Sequence, residues 1–207
     1  MCRPPLLRFF YSHIIMNSDI IIIGAGPGGY ETALYAAKNG LSVTLFEERE
    51  AGGICLHEGC IPTKCFCRSA EAADIIAESE ALGIRIASHE IDFGRVVERK
   101  NEMVKQLTSG IEFLLRNKLI TYVPQHARLL DSHTVTTDDG SKYTAAHILI
   151  ATGSKSKIPP IKGCDLPGVL TSTEMLDLDH IPERLCIVGA GVIGLEFASI
   201  FLSFGSQ

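Results

Sequence analysis

The sequence predicts an α/β fold, because an apolar strand that runs into a glycine-rich turn and a helix occurs twice in the chain. The first copy is the run Asp19–Ile23 followed by the turn Gly24–Gly29, and the second is Leu185–Val188 followed by Gly189–Gly194. Both turns have the pattern Gly-x-Gly-x-x-Gly between a strand and a helix, which is typical of a Rossmann-like nucleotide-binding unit. We therefore predict one such domain and the beginning of a second.

Composition agrees with a globular α/β protein and excludes several other classes. The chain has 207 residues, 46% of them hydrophobic and 21% charged, and a formal net charge of −5. No block of basic residues suggests a nucleic-acid partner, and no apolar run is long enough to span a membrane. Four of the seven cysteines crowd between Cys55 and Cys67, which is unlike a secreted disulfide scaffold. We expect a cytoplasmic protein.

Residues 1–15 form an extension whose translation is doubtful. The segment contains Arg3 and Arg8, and Arg8 interrupts the apolar run that a secretory signal would need. Met16 leads directly into the first predicted strand, so we favour Met16 as the start of the protein.

The first strand–turn–helix unit continues into a second strand. A helix is predicted over Tyr30–Asn39 before Gly40, and a strand over Val43–Phe46. Glu47, at the end of that strand, is placed to accept hydrogen bonds from a ribose hydroxyl. In the turn, Gly24 permits the tight bend, Gly26 lets a pyrophosphate approach the backbone, and Gly29 lets helix and strand pack closely.

The remaining elements complete one domain and begin another. Helices are predicted over Thr63–Leu82 and Asp92–Lys118, and short β segments follow from Leu119, with a hairpin at Asp139-Gly140 between Thr134–Thr137 and Lys142–Thr144. A strand at Ile148–Ile150, a short helix at Thr173–Leu178 and a helix at Leu195–Phe204 come later. The predicted domains are 16–154 with a β-rich insertion, a linker over 155–183, and a truncated second domain over 184–207.

Cys55 and Cys60 indicate redox chemistry. Five residues of straight helix separate Cα atoms by about 7.5 Å along the axis, which is too far for a disulfide. Gly59 and Pro62 can distort the helix, and a strained disulfide is easier to reduce. A thiol–disulfide pair that follows a nucleotide fold suggests electron transfer between nucleotide and sulfur.

A metal site is the alternative use of the cysteines between Cys55 and Cys67. Their spacing, with Cys65 as the third member, matches neither zinc-finger nor ferredoxin patterns. We therefore predict no metal site.

The stretch Gly-Gly-x-Cys-x-x-x-Gly-Cys-x-Pro-x-Lys over residues 52–64, after a nucleotide fingerprint, resembles the pyridine nucleotide–disulfide oxidoreductases. Cys-Leu-x-x-Gly-Cys-Ile-Pro-Thr-Lys and the later Gly-Val-Ile-Gly-Leu-Glu-Phe-Ala resemble the dihydrolipoyl dehydrogenase branch of that family more than glutathione or mercuric reductases. The resemblance extends from about Ser18 to the last residue.

The resemblance implies two cofactors, FAD and NAD, and a role for each motif. Cys55 is implied as the thiol that meets the substrate, and Cys60 as the thiol that lies against the flavin. Lys64 is implied to lie near the flavin and to pair with Glu196. The residues implied to bind FAD or NAD are Gly24, Gly26, Gly28, Gly29, Glu47, Gly53, Lys64, Ala151, Thr152, Gly153, Ser154, Gly189, Gly191, Gly194 and Glu196.

The implied activity is oxidation of protein-bound dihydrolipoamide, with electrons passing through Cys55–Cys60 and FAD to NAD⁺. The implied partners are a lipoyl-bearing protein of a 2-oxo acid dehydrogenase or glycine-cleavage complex, and a second copy in a homodimer. The His-Pro-Thr pattern of the family's catalytic base is absent, so we expect an amino-terminal fragment that is weakly active or inactive alone. A non-catalytic flavin-binding fragment and a glutathione- or mercuric-reductase-like enzyme are the alternatives.

Overall fold

The computed structural model describes residues 15–207, with side chains from Met16 onward. The predicted extension therefore lies outside the described residues, apart from the backbone of Ile15. The chain divides into two compact units. The sheet unit runs to Arg49 and resumes over Leu115–Ala151, and the helical unit comprises Glu50–Leu114 and Thr152–Gln207. The boundaries predicted at 154/155 and 183/184 group the residues differently and stay a prediction.

A six-stranded mixed sheet in the order β3-β2-β1-β6-β5-β4 forms the sheet unit. The four strands β3, β2, β1 and β6 are parallel neighbours, while β5 pairs antiparallel with β6 and β4. The predicted α/β fold with a Rossmann-like unit is confirmed. The strands are β1 (Ile15–Ile23), β2 (Val43–Phe46), β3 (Ile120–Val123), β4 (Ala127–Leu129), β5 (Thr134–Thr137) and β6 (Lys142–Ile150).

The central strands of this sheet carry apolar side chains that are buried next to one another. All four residues of β2 are buried, as expected for a parallel strand covered on both faces. Ile22 of β1 lies between Leu45 and Leu149 in register. The rings of Phe46 and Tyr143 meet edge to face with centroids 4.9 Å apart. The hairpin predicted at Asp139-Gly140 is confirmed, and the two β segments predicted after it form one strand, β6.

The first helix, α1 (Pro27–Lys38), follows β1 after the glycine turn. It starts three residues before the predicted Tyr30, because Pro27 takes the first helical position, where its missing N–H costs nothing. Ala33, Ala36 and Ala37 are buried, so this helix presents a small-residue face to its own unit.

The helical unit contains five α-helices and a short 3₁₀ turn. One helix predicted over Thr63–Leu82 begins at Cys60, ends at Ala77 and continues as the 3₁₀ turn Ser79–Leu82 before Gly83. The predicted helix over Thr173–Leu178 is one turn, Ser172–Met175, started by a capping box of Thr171 and Glu174. The helices are α2 (Gly53–His57), α3 (Cys60–Ala77), α4 (Phe93–Leu115), α5 (Ser172–Met175) and α6 (Val192–Ser203).

Aromatic side chains form the core of the helical unit. Phe93 of α4 contacts the rings of Phe66, Phe201 and Phe204, with centroids 5.7–6.2 Å apart. Each of these rings is at most 6% exposed. Ring pairs at these distances add to the free energy gained by burying their surface. The core therefore joins α3 and α4 to α6.

The prediction of a strand over Leu185–Val188 is wrong for the structure described. The segment's one backbone hydrogen bond among the described residues is at Leu185, whose N–H donates to the Gln207 carbonyl at 2.9 Å, and no strand forms there. A parallel strand needs a ladder of bonds to neighbours, and Val188 is 76% exposed. The apolar pattern does not report the pairing partners that a strand requires.

Among residues 15–207, no helix is long and apolar enough to cross a membrane.

A buried lysine ties α4 to the end of α5. The Lys100 side chain is 5% exposed, and its Nζ donates to the Leu176 carbonyl at 2.9 Å and to Asp177 Oδ1 at 2.8 Å. Asp177 is 73% exposed. The buried Lys100 ammonium therefore depends on these two protein partners, whereas the exposed Asp177 carboxylate is also hydrated by water.

We expect Lys100→Met to lower the free energy of unfolding by about 1–3 kcal/mol, because the buried Leu176 carbonyl loses its donor while the side-chain volume is kept. Asp177→Ala is the matched control and should cost about 0–1 kcal/mol, as exposed ion pairs do. Urea unfolding followed by circular dichroism measures both. Equal losses in the two variants would contradict the assignment of the effect to the buried ammonium.

Candidate active site

The first glycine turn joins β1 to α1 more closely than side chains would allow. Gly24 has φ +101°, in the left-handed region that favours glycine. A Cβ on Gly29 would lie 1.7 Å from the Gly24 carbonyl oxygen. The first and last glycines of the pattern are therefore required by the protein itself, as predicted.

The amino terminus of α1 is suited to an anion. Gly26 is its N-cap residue, in extended conformation, and no side chain caps the helix. The N–H groups of Gly29 and Tyr30 turn inward to the Gly26 carbonyl at 2.8 and 2.9 Å. The uncapped end of a helix carries a partial positive charge and N–H groups that suit a phosphate. The residues present thus fit the pyrophosphate of a dinucleotide.

Glu47, which follows β2, is hydrogen-bonded to the first glycine turn. Its Oε2 accepts the Ala25 N–H at 2.8 Å, and its Oε1 accepts the Arg49 N–H at 3.0 Å. A carboxylate has about four acceptor positions, so each oxygen keeps one for a ribose hydroxyl. The sequence predicted the ribose role, but the contact that fixes the turn was not foreseen.

The second glycine turn repeats the geometry of the first. Gly189 has φ +114°, and a Cβ on Gly194 would lie 2.4 Å from the Gly189 carbonyl oxygen. Gly191 is the extended N-cap of α6, again without a side-chain cap. A Cβ on Gly191 would meet nothing within 4 Å, so the protein itself does not require glycine there. The backbone at Gly191 is therefore open to close approach by a ligand.

The redox motif lies on two helices that break between its cysteines. Cys55 is in α2, and Cys60 is the first residue of α3. Gly59, between them, has φ −149° and ψ −108°, far from helical values. The distortion expected at Gly59 is confirmed, and it brings the two thiols into hydrogen-bond contact. Both are free thiols in this structure.

The pKa of Cys55 is raised from its ordinary value to about 11. Burial of the thiol is the main cause, followed by its hydrogen bond with Cys60 and by the charge that Cys60 carries when ionised. Because the thiolate is the nucleophile, Cys55 is held in its unreactive form in the dithiol state. The arrangement can alternate between a quiet dithiol and a disulfide.

Lys64 and Glu196 form the ion pair that the sequence predicts. Lys64 Nζ, from α3, donates to Glu196 Oε1, from α6. This hydrogen bond is the main cause that raises the pKa of Lys64. The pair therefore connects the redox helix to the helix that follows the second glycine turn, both within the helical unit.

The segment Ala151–Ser154 leaves the sheet at the end of β6. The Ala151 N–H donates to the Ile23 carbonyl at 2.8 Å, and the Ala151 Cβ lies 3.9 Å from the position that a Cβ on Gly28 would take. Gly153 has φ +69°, and a Cβ there would lie 3.8 Å from Ile54. Thr152, Gly153 and Ser154 are exposed. Ala151 thus borders the start of α1, and Gly153 borders α2.

The other motif cysteines do not join the pair. Cys65 is buried, and Cys67 is partly buried against the aromatic core, with a pKa raised mainly by burial. In the part of the chain that the structure describes, no group of three or more His, Cys, Asp and Glu side chains could hold a metal ion.

His57 makes a contact that the sequence did not predict. Its Nε2 lies 3.0 Å from the Ala51 carbonyl oxygen, and its Nδ1 lies 3.7 Å from Glu50 Oε2. The sequence gives no signal for this contact, because it depends on the turn that α2 makes after Gly52.

Comparison with curated proteins places the chain beside dihydrolipoyl dehydrogenases. It is 40% identical over 194 residues to dihydrolipoyl dehydrogenase of Acholeplasma laidlawii, covering 91% of this chain and 57% of that protein. It is 41% identical to that of Chlamydia muridarum, covering 91% and 42%. It is 38% identical to dihydrolipoyl dehydrogenase 2, mitochondrial, of Arabidopsis thaliana, covering 98% and 41%. The chain spans about half the length of these relatives.

Comparison with solved structures finds a protein of similar fold and sequence. The fold matches the HOCl-induced flavoprotein disulfide reductase RclA from Escherichia coli, in its Cu(II) complex, with a TM-score of 0.80 and 33% identity. The match covers 93% of this chain and 42% of RclA. The model of the family described as pyridine nucleotide-disulphide oxidoreductase matches residues 18–207. This chain therefore belongs to the pyridine nucleotide-disulphide oxidoreductase family.

Proposed function

We propose that the chain is a flavin-dependent disulfide oxidoreductase of the dihydrolipoyl dehydrogenase type, which takes electrons from dihydrolipoamide through Cys55–Cys60 and FAD to NAD⁺. The observation that carries the proposal is the hydrogen-bonded pair of thiols, Cys55 and Cys60, formed where α2 breaks from α3. Dihydrolipoyl dehydrogenases among the relatives support the choice of substrate.

The first glycine turn would hold FAD. The uncapped end of α1 suits its pyrophosphate, and Glu47 keeps acceptor positions for its ribose. Gly28, Gly53 and the segment Ala151–Ser154 are proposed to border the cofactor. When bound, FAD supplies the two-electron redox chemistry that side chains lack, while the protein positions and tunes it.

The cysteines would exchange electrons with the substrate by thiol–disulfide exchange. In the oxidised protein, one substrate thiolate attacks the Cys55 sulfur, and Cys60 leaves as a thiolate. The second substrate thiolate then attacks the substrate sulfur of this mixed disulfide, and Cys55 leaves. The substrate has become a disulfide, and the protein has gained two electrons as a dithiol. The raised pKa of Cys55 lowers its thiolate fraction and so slows the reverse exchange.

The second glycine turn would hold NAD. Gly191 has room beside it, and α6 begins there without a side-chain cap. Lys64 and Glu196 would position charge between the redox helix and this turn. The proposed partners are a lipoyl-bearing protein of a 2-oxo acid dehydrogenase or glycine-cleavage complex and a second copy of the chain, in the cytoplasm.

Two other functions remain as outcomes of the test: a non-catalytic flavin-binding fragment, whose flavin dihydrolipoamide would not bleach, and a glutathione- or mercuric-reductase-like enzyme. The sequence contains no histidine followed by proline. We therefore expect half-reactions rather than sustained turnover from this chain.

The test is to purify the chain, add FAD, remove the excess and record the visible flavin spectrum before and after adding dihydrolipoamide without oxygen. We expect stoichiometric flavin, its bleaching by dihydrolipoamide, and little steady NADH formation with NAD⁺. Cys55→Ser and Cys60→Ser should abolish the bleaching, whereas Cys67→Ser should keep it. A colourless protein would overturn the proposal, and bleaching by glutathione alone would favour the glutathione-reductase-like enzyme.

The glycine turn gives a second prediction. Gly29→Ala should lower FAD affinity at least ~10-fold, because its Cβ would overlap the Gly24 carbonyl and displace the start of α1. Gly110→Ala, in α4, is the matched control, since its Cβ would meet nothing within 4 Å and it is not among the proposed cofactor residues. FAD titration by fluorescence quenching measures both. Equal affinities for the two variants would contradict this account of the turn.

Thiol reactivity gives a third prediction. In the reduced chain, the alkylation rate of Cys55 should keep rising with pH to a midpoint of about 11, because a raised pKa delays formation of the thiolate. Cys60→Ala should lower this midpoint, yet leave it above the ordinary value of 9.0, since burial is the larger cause. Rates of iodoacetamide labelling at Cys55 over a pH series measure both midpoints. An unchanged midpoint in Cys60→Ala would show that Cys60 does not influence Cys55.

A further inference from the structure

The helix that carries Cys55 has few means of holding its own position. α2 has five residues, Gly53–His57, and its N-cap Gly52 is left-handed and provides no side-chain cap. Helices of this length are not stable by themselves, because nucleation is costly and few hydrogen bonds repay it. The position of Cys55 relative to Cys60 must therefore be set by contacts between α2 and its surroundings.

Two side chains of α2 provide such contacts. Leu56 is 4% exposed and packs close to Gly52. His57 folds back over the left-handed turn, and its Nε2 lies 3.0 Å from the carbonyl oxygen of Ala51, a fully buried residue. A carbonyl can only accept, so Nε2 carries the hydrogen and donates it.

The contact holds in both charge states of the ring. Nε2 keeps its hydrogen in the neutral tautomer that Ala51 selects and also in the imidazolium. The charged group nearest to Nδ1 is Glu50, at 3.7 Å, with a side chain that is 73% exposed. Glu58 and Cys55 are the other titratable residues of the same segment. The hydrogen bond from His57 Nε2 to the Ala51 carbonyl therefore links the end of α2 to the turn that precedes it.

We propose that His57 is a positioning residue of the redox pair: by binding the Ala51 carbonyl, it anchors α2 and so holds the Cys55 sulfur within reach of Cys60. The inference rests on the proposed function of the pair. It differs from a catalytic role, because residues two apart on a helix point to nearly opposite sides and His57 is occupied by Ala51.

The consequence is measured as the stability of the disulfide. Anchoring α2 raises the effective concentration of one thiol at the other, and this favours the disulfide over the dithiol. Loss of the anchor should make the disulfide easier to reduce without removing either cysteine. We expect His57→Leu to lower the equilibrium constant for forming the Cys55–Cys60 disulfide at least ~10-fold, which is about 30 mV for two electrons.

The experiment equilibrates the full chain in glutathione redox buffers, traps free thiols by alkylation and quantifies the tryptic peptide 50–64. This peptide lies between Arg49 and Cys65 and contains Cys55 and Cys60 as its only cysteines. His57→Gln is the rescue variant, because a glutamine amide can place an N–H donor where Nε2 lies. We expect it to stay within about threefold of the wild type, a range well inside one tenfold step.

His133→Leu is the matched control. His133 Nδ1 also lies at hydrogen-bond distance, 3.1 Å, from a backbone carbonyl, that of Ala145 in the sheet unit. It should leave the disulfide equilibrium unchanged while losing a comparable bond. Circular dichroism of each variant reports whether the chain is folded.

The outcomes separate the inference from the function on which it rests. A fall in His57→Leu with rescue in His57→Gln supports the positioning role. An unchanged equilibrium in His57→Leu, an equal fall in His57→Gln, or an equal fall in His133→Leu would overturn it while leaving the redox pair in place. If the wild-type chain forms no Cys55–Cys60 disulfide in oxidised glutathione, both the proposed function and this inference fail.

Discussion

The close approach of the last glycine to the first in each fingerprint is the constraint on which both nucleotide turns depend. A Cβ would come within 1.7 Å of the Gly24 carbonyl oxygen at Gly29 and within 2.4 Å of the Gly189 carbonyl oxygen at Gly194. This contact fixes how closely each helix starts behind its strand. The amino-terminal end of the helix, which no side chain caps, is thereby placed at the turn, so a purely steric condition presents a helix end that suits an anion.

At the redox motif, the chain interrupts a helix between the two cysteines. An unbroken helix would hold Cys55 and Cys60 about 7.5 Å apart along its axis. The helix breaks at Gly59, where the backbone angles are not helical. A Cβ on Gly59 would lie 3.1 Å from the Ile54 carbonyl oxygen, so the break leaves little room for a side chain. The chemistry of the pair then follows from burial, because the desolvated Cys55 thiol resists ionisation.

Local patterns were sufficient for most of the fold and for the residues of both turns. The alternation and capping signals located α1, β2, the hairpin and α4 to within a few residues. The strand predicted at 185–188 is the instructive failure, since a strand depends on partners that periodicity does not report. The pairing of Lys64 with Glu196 likewise followed from the family resemblance and not from any local pattern. The contacts of Glu47 with Ala25 and of His57 with Ala51 needed the folded turn to become visible.

Packing, rather than charge, joins the redox helix to the second nucleotide turn. Lys64 is 61% exposed, and an ion pair of this kind contributes only about 0–1 kcal/mol. Phe66 of α3 and Phe197 and Phe201 of α6 are buried in one core, and burying one such ring contributes about 1.5–3 kcal/mol. The apolar core therefore sets the distance between α3 and α6, and the ion pair sets where charge lies between them. The ion pair can therefore be altered at little cost to the packing that holds the two helices together.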